Sequence, residues 1–222
     1  MKIAFALYDQ FTALDLVGPY EIIARWPGAE VHFVATGPDP VRADAGLVVR
    51  PTGTLDSLTA PDLVVVPGSG NPMPVLNDKA LLAWVRHVSR HATWMASVCT
   101  GASIYAAAGI LAGRRANTHW AFRDVLASMG VNVCAGRVVF DEPFVSSAGV
   151  SAGIDMALAL TGRVHGPTVA EAIQLLIEYD PQLPFDAGAP LKASDQAKQA
   201  AATMIAAATS PGPHAWMSAN PP

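Results

Sequence analysis

The chain has 222 residues, 51% of them apolar, and a formal charge of −4 from 14 basic and 18 acidic side chains. That length fits one generous domain whose core needs no disulfide staples, and an acidic balance with no basic run longer than Arg114-Arg115 argues against a nucleic-acid partner. Cys99 and Cys134 alone make neither a disulfide framework nor a zinc ligand set, and no apolar run reaches membrane-spanning length, so a soluble, cytoplasmic chain without a metal is expected.

Ile3 to Leu7 reads as a buried strand, and Leu14 to Arg25 as a helix interrupted or begun by Gly18-Pro19. Glu30 to Ala35 alternates apolar and polar residues, Val41 to Arg50 suggests a hairpin turning at Gly46, and Leu63 to Val66 is a fully apolar strand that runs straight into "PGSGNP". Leu76 to His91 has helical spacing through Leu81, Leu82, Val85 and Val88; Trp94 to Val98 returns to strand. A helix from about Gly101 to Ala108 follows, then a helical stretch from Ala121 to Met129 and strands at Val138 to Phe140 and Phe144 to Ala148. Ser151 to Val164 is an apolar helix with Ser151 as its N-cap, and Pro167 to Tyr179 another with Pro167 in its first turn. Beyond Pro181 the chain becomes rich in Pro and Gly, Ala193 to Ala208 is an alanine-rich helix candidate, and "SPGPHAWMSANPP" reads as a loose tail. The alternation predicts an α/β fold, a mostly parallel sheet with helices on both faces.

In such a sheet, ligands sit beyond the carboxyl ends of the strands, and Cys99 falls there, between the strand ending at Val98 and the helix opening at Gly101. A sharp strand-to-helix turn projects the thiol, and the helix N-terminus favours its thiolate near neutral pH. The plainer alternative, a small buried hydrophobe, is outweighed by this position. "PGSGN" offers Gly68, Ser69 and Gly70, whose N–H groups would cradle developing negative charge or merely form a turn. Asp15, among Leu14, Leu16 and Val17, is either a helix cap or a buried proton-handling carboxyl. Thr100 adjoins the thiol. In "NTHW", His119 is a polar partner or a structural histidine, and Trp120 lines an apolar pocket or fills the core. Cys134 has no base candidate near it in sequence and is assigned a structural role.

The stretches "LDLVGPYE", "PGSG", "SVCTGASIYAAAGILAGRRANTHW", "SAGIDMAL" and "LLIEYDPQLPFDAGAP" resemble, in this order, the PfpI-like branch of the class I glutamine amidotransferase-like superfamily. The resemblance runs from Ile3 to about Pro190. It implies a flavodoxin-like three-layer sandwich over residues 1–190 with a cysteine nucleophile elbow, and a C-terminal helix and tail over 191–222. Within that branch the likeness points to the members that hydrate isonitriles. It implies Cys99 as nucleophile, Asp15 as proton-transfer carboxylate and Thr100 as an essential neighbour, in a hydro-lyase that needs no cofactor. The substrate would be a small isonitrile, and the protein a cytoplasmic homodimer binding neither nucleic acid nor membrane.

Departures from the family pattern refine this. Proteases of the branch carry histidine directly after the cysteine, where Thr100 stands. Deglycase-like relatives carry glutamate at the position of Asp15, and the shorter side chain leaves room for a water or a small substrate. Ser147 and Ala148 replace part of a glycine run common in the hydratases. Related domains also occur in transcriptional regulators, so a ligand- or redox-sensing domain is one alternative and glyoxalase-like chemistry another.

Overall fold

A computed structural model describes residues 1–209; the tail "SPGPHAWMSANPP" lies outside them. The chain divides into two compact units, Met1–Glu178 and a second beginning at Tyr179. The first contains, in order, β1 (Lys2–Ala6), α1 (Ala13–Ile23), β2 (Glu30–Ala35), β3 (Val41–Arg42), β4 (Val48–Val49), β5 (Gly53–Thr54), β6 (Leu63–Val66), α2 (Lys79–Val88), β7 (Trp94–Ser97) and α3 (Gly101–Ala107). Then come β8 (Arg115–Ala116), α4 (Arg123–Ser128), β9 (Asn132–Val133), β10 (Val138–Asp141), β11 (Phe144–Ser147), α5 (Ala152–His165) and α6 (Pro167–Leu176). The second unit holds α7 (Asp195–Thr209), on the alanine-rich stretch.

Seven strands form one sheet in the order β10-β11-β7-β6-β1-β2-β5, parallel throughout except for β10 against β11. Phe33, Phe5, Val65, Ala96 and Val145 stand in one row across it. From β1 the chain moves one way to β2, and from β6 the opposite way to β7. With right-handed crossovers, that reversal puts α1 and α2 on opposite faces. Accordingly α1 packs on α5 and α5 on α6, while α3 packs on α2 and α4. Every side chain of β6 is buried, as its unbroken Leu-Val-Val-Val run requires of a strand covered on both faces.

The structure departs from the sequence pattern locally, for physical reasons. Helix α1 runs unbroken through Gly18-Pro19. Proline leaves the Asp15 carbonyl without its usual helical donor. Against α5, Gly18 meets Ile154 and Pro19 meets Gly153, so close packing holds the turn. Helix α2 begins at Lys79 rather than Leu76, because the Asp78 side chain accepts the Leu81 N–H and caps it there. Ser151 occupies the N-cap position of α5 without a side-chain cap bond; its hydroxyl instead meets the guanidinium of Arg137. The two-residue strands β8 and β9 pair in parallel, too short for any pattern to announce them.

Candidate active site

The carboxyl ends of β1, β6, β7 and β11 share one edge, and the loops leaving them converge. Switch points of this kind leave a crevice where adjacent crossovers part to opposite faces. The elbow after β7 is tight. Cys99 adopts a left-handed φ of 56°, a conformation costing a non-glycine residue of order 1 kcal/mol or more. Three backbone contacts hold it there: the Val98 N–H donates to the Val66 carbonyl at 3.1 Å, the Cys99 N–H to the Ala148 carbonyl at 3.1 Å, and the Thr118 hydroxyl to the Cys99 carbonyl at 2.8 Å. Gly101 closes the turn, since a β-carbon there would run into the Val66 carbonyl oxygen.

Asp15 reaches the elbow from the first turn of α1. It is the only Asp, Glu, Lys or Arg buried among the described residues, with no exposed surface. Its Oδ2 accepts the Gly68 N–H at 2.9 Å, while Oδ1 is buried with no hydrogen-bond partner. Burial raises this carboxyl to a pKa of about 7; the Gly68 N–H and the Cys99 thiol oppose the rise, and the charge of Asp44 adds to it. The cap alternative fails: Asp15 lies inside α1, and the N-cap position belongs to Thr12.

Burial also pushes the Cys99 thiol well above its ordinary value, and the neighbouring Asp15 pushes it further. The N–H groups of Val150 and Thr100, both directed at the sulfur, pull the other way. This corrects the expectation of a thiolate favoured by the helix N-terminus. A short helix end contributes on the order of 1 kcal/mol, whereas desolvating an ion costs several. At neutral pH the resting proton therefore sits on sulfur.

The glycine loop serves the site differently from the expected set of free donors. The N–H of Gly68 is taken by Asp15, and that of Ser69 by the Thr100 hydroxyl at 2.7 Å. The same hydroxyl donates to the Ser69 carbonyl at 2.8 Å. Thr100 thus clips the loop after β6 to the elbow, a stronger role than filling a helical turn. Gly68 is required because a β-carbon would lie 2.5 Å from the Thr100 nitrogen and 2.8 Å from Asp15 Oδ2. Gly70, half-buried, continues the loop.

His119 does not touch the thiol through any hydrogen bond; it acts on the backbone beside it. A β-carbon at Gly149 would overlap the imidazole, so ring and glycine are packed face to face next to Val150, the residue whose N–H points at Cys99. Burial, then the charge of Arg123, lowers the histidine pKa, and Nδ1 accepts the Ala121 N–H, as a neutral ring does. Trp120 packs its ring against His119 at 5.5 Å between centroids and is half-buried. Cys134 lies by Arg115 and Asn132.

Three contributors escaped the sequence reading. Tyr8 is buried at the end of β1, with its hydroxyl donating to the Pro67 carbonyl at 2.8 Å; burial and the nearby Asp15 and Cys99 raise its pKa well above the ordinary value. Its position after a buried strand, the argument used for Cys99, would have found it. Val150, with φ of 36°, carries a strain that sequence does not reveal. Thr118 stands beside the singled-out His119.

A scan against family models matches the DJ-1/PfpI family over residues 1–162. The chain belongs to the DJ-1/PfpI family. It is 38% identical over 209 residues to an isonitrile hydratase of Pseudomonas putida, covering 92% of each chain. A crystal structure of a ThiJ/PfpI family protein from Pseudomonas syringae superposes with a TM-score of 0.90 at 36% identity, over 94% of this chain and 87% of that one. A helix-turn-helix transcriptional regulator of Pseudomonas aeruginosa is 33% identical over 148 residues, which are 66% of this chain and 42% of the regulator. The DJ-1/PfpI fold accounts for the mostly parallel seven-stranded sheet with its elbow. No helix of the described residues is long and apolar enough to cross a membrane.

Proposed function

We propose that this protein hydrates an organic isonitrile, R–N≡C, to an N-substituted formamide through a thioimidate on Cys99. One observation carries the reading: a carboxyl with no exposed surface, raised by burial to a pKa of about 7, neighbours a cysteine thiol at a strained elbow, each shifting the other's pKa. A carboxyl poised at the working pH both gives and takes protons, which hydration requires in alternation. The likeness to the Pseudomonas putida enzyme supports the choice of substrate.

In the first step Asp15, as carboxylate, takes the thiol proton while sulfur bonds to the terminal isonitrile carbon, and returns that proton to the same carbon. The product is R–N=CH–S–Cys99. Water then adds across C=N, its oxygen to carbon and one proton, through Asp15, to nitrogen. Collapse of the resulting R–NH–CH(OH)–S–Cys99 forms C=O, breaks C–S and returns the hydroxyl proton to sulfur by the same carboxyl. The sum is isonitrile plus water to formamide. The N–H groups of Val150 and Thr100 stabilise charge on sulfur as it attacks and leaves. Trp120, whose ring packs on His119, supplies an aromatic side to the substrate space; in the glycine loop Gly68 holds the acid and Ser69 is clipped by Thr100.

The test is formamide production from cyclohexyl isocyanide and p-nitrophenyl isocyanide. Wild type turns over; Cys99→Ala and Asp15→Asn do not. Turnover surviving in Cys99→Ala would end covalent catalysis, and lactate from methylglyoxal without any formamide would move the site to glyoxalase chemistry.

A further inference from the structure

Thr12 stands at the N-cap of α1, yet its side chain makes no capping bond. The hydroxyl is turned instead to Asp44, donating to Oδ2 at 2.6 Å. Asp44 sits in the turn of the β3–β4 hairpin, and its own N–H donates to the Phe11 carbonyl at 2.9 Å, so both main chain and side chain tie it to the approach to α1. Thr12 is in turn fastened to the site. Its N–H donates to the Gly68 carbonyl at 2.8 Å, its carbonyl accepts the Asp15 N–H at 3.0 Å, and Gly68 returns an N–H to Asp15 Oδ2. A second carboxylate is thereby tied through Thr12 to the same backbone groups that hold the first.

We infer that Asp44 is a positioning residue of the site: held by Thr12, its negative charge adds to the effect of burial on Asp15 and makes that carboxylate a stronger base toward the thiol proton. The inference builds on the proposed hydration, in which Asp15 must alternate between acid and base. The groups acting on the Asp15 carboxyl are the Gly68 N–H from the loop after β6, the Cys99 thiol from the elbow and Asp44 from the hairpin. Tyr8, from the end of β1, feels the charges of Asp15, Cys99 and Asp44, and α5 brings Gly153 and Ile154 against the Gly18-Pro19 turn. Asp44 is thus the one group whose charge opposes ionisation of Asp15, and like charges at this range disfavour the ionised form.

The experiment titrates the Asp15 carboxyl by carbon NMR in protein carrying labelled aspartate, the signal assigned by its loss in Asp15→Asn. Asp44→Asn, which keeps an acceptor for Thr12, lowers the Asp15 midpoint by about half a pH unit to one unit, whereas Asp44→Glu, which keeps the charge, restores it to within a few tenths. Wild-type protein gives a second reading without mutation: Asp44 is half-buried, so about 1 M salt screens it and lowers the same midpoint. An unmoved midpoint in both Asp44→Asn and high salt overturns the inference, as does an equal fall in Asp44→Asn and Asp44→Glu, which would make Asp44 merely structural. No isonitrile is present in the titration, so a midpoint shift stands even if turnover fails, and turnover can be found with Asp44 inert.

Discussion

Replacing Asp15 by Asn should make the protein gain stability relative to wild type as the pH rises, although it destroys the proposed acid. The carboxyl titrates near 3.8 when exposed and at about 7 in the fold, so across that window the folded state holds a proton that the unfolded chain has released. Stability therefore falls as pH rises from about 4 to about 7, and the loss is complete above the folded value. At roughly 1.4 kcal/mol per pH unit the total is about 4 kcal/mol. Asparagine keeps an oxygen for the Gly68 N–H and does not ionise, so this loss disappears. Its amide N–H groups meet the space where Oδ1 has no partner, which subtracts about 1–3 kcal/mol at every pH. The diagnostic is thus the change of the difference with pH. Urea unfolding of both proteins from pH 4 to 8.5 should show the variant gaining on wild type by about 4 kcal/mol, a midpoint movement on the order of 2 M. Parallel stability curves, or a variant that loses ground as pH rises, would refute a buried carboxyl with a raised pKa.

Other substitutions probe the supports of the site. Thr100→Val removes both bonds to the Ser69 backbone and leaves a buried N–H and carbonyl unpaired; chemical denaturation should register a loss of about 2–4 kcal/mol, most of it recovered in Thr100→Ser. In Gly68→Ala the new methyl strikes the Thr100 backbone and Asp15 together, and formamide production should fall at least tenfold, since neither neighbour is a flexible chain end. Gly149→Ala should displace the His119 ring or the Val150 N–H and lower turnover. Adding His119→Ala should restore much of it, and a double variant as poor as the single one would show that the ring is not what the methyl strikes.

Much of this arrangement was legible because parallel α/β sheets gather their chemistry at one edge. The apolar runs Ile3 to Leu7, Leu63 to Val66 and Trp94 to Val98 end in Tyr8, "PGSG" and Cys99, and those ends are neighbours in the sheet. Asp15 was conspicuous as a charge in an apolar helix turn. What escaped is what long-range packing decides. Asp44 lies in a hairpin turn with nothing in its sequence to connect it with α1, and the Thr12 hydroxyl that links them was assigned no role. Val150 differs from an ordinary valine only in a backbone angle that the elbow imposes. The ionisation of Cys99 was misjudged because a helix terminus is visible in sequence, whereas the desolvation that outweighs it depends on how completely the surrounding elements close over the sulfur.

The most direct measurement is the mass of the Cys99 peptide after acid quenching during steady-state turnover of p-nitrophenyl isocyanide. Covalent hydration predicts a population carrying the mass of one isonitrile on Cys99, absent from Cys134 and from the Cys99→Ala protein. Formamide accumulating at full rate while every Cys99 peptide keeps its unmodified mass, and persisting in Cys99→Ala, would contradict it.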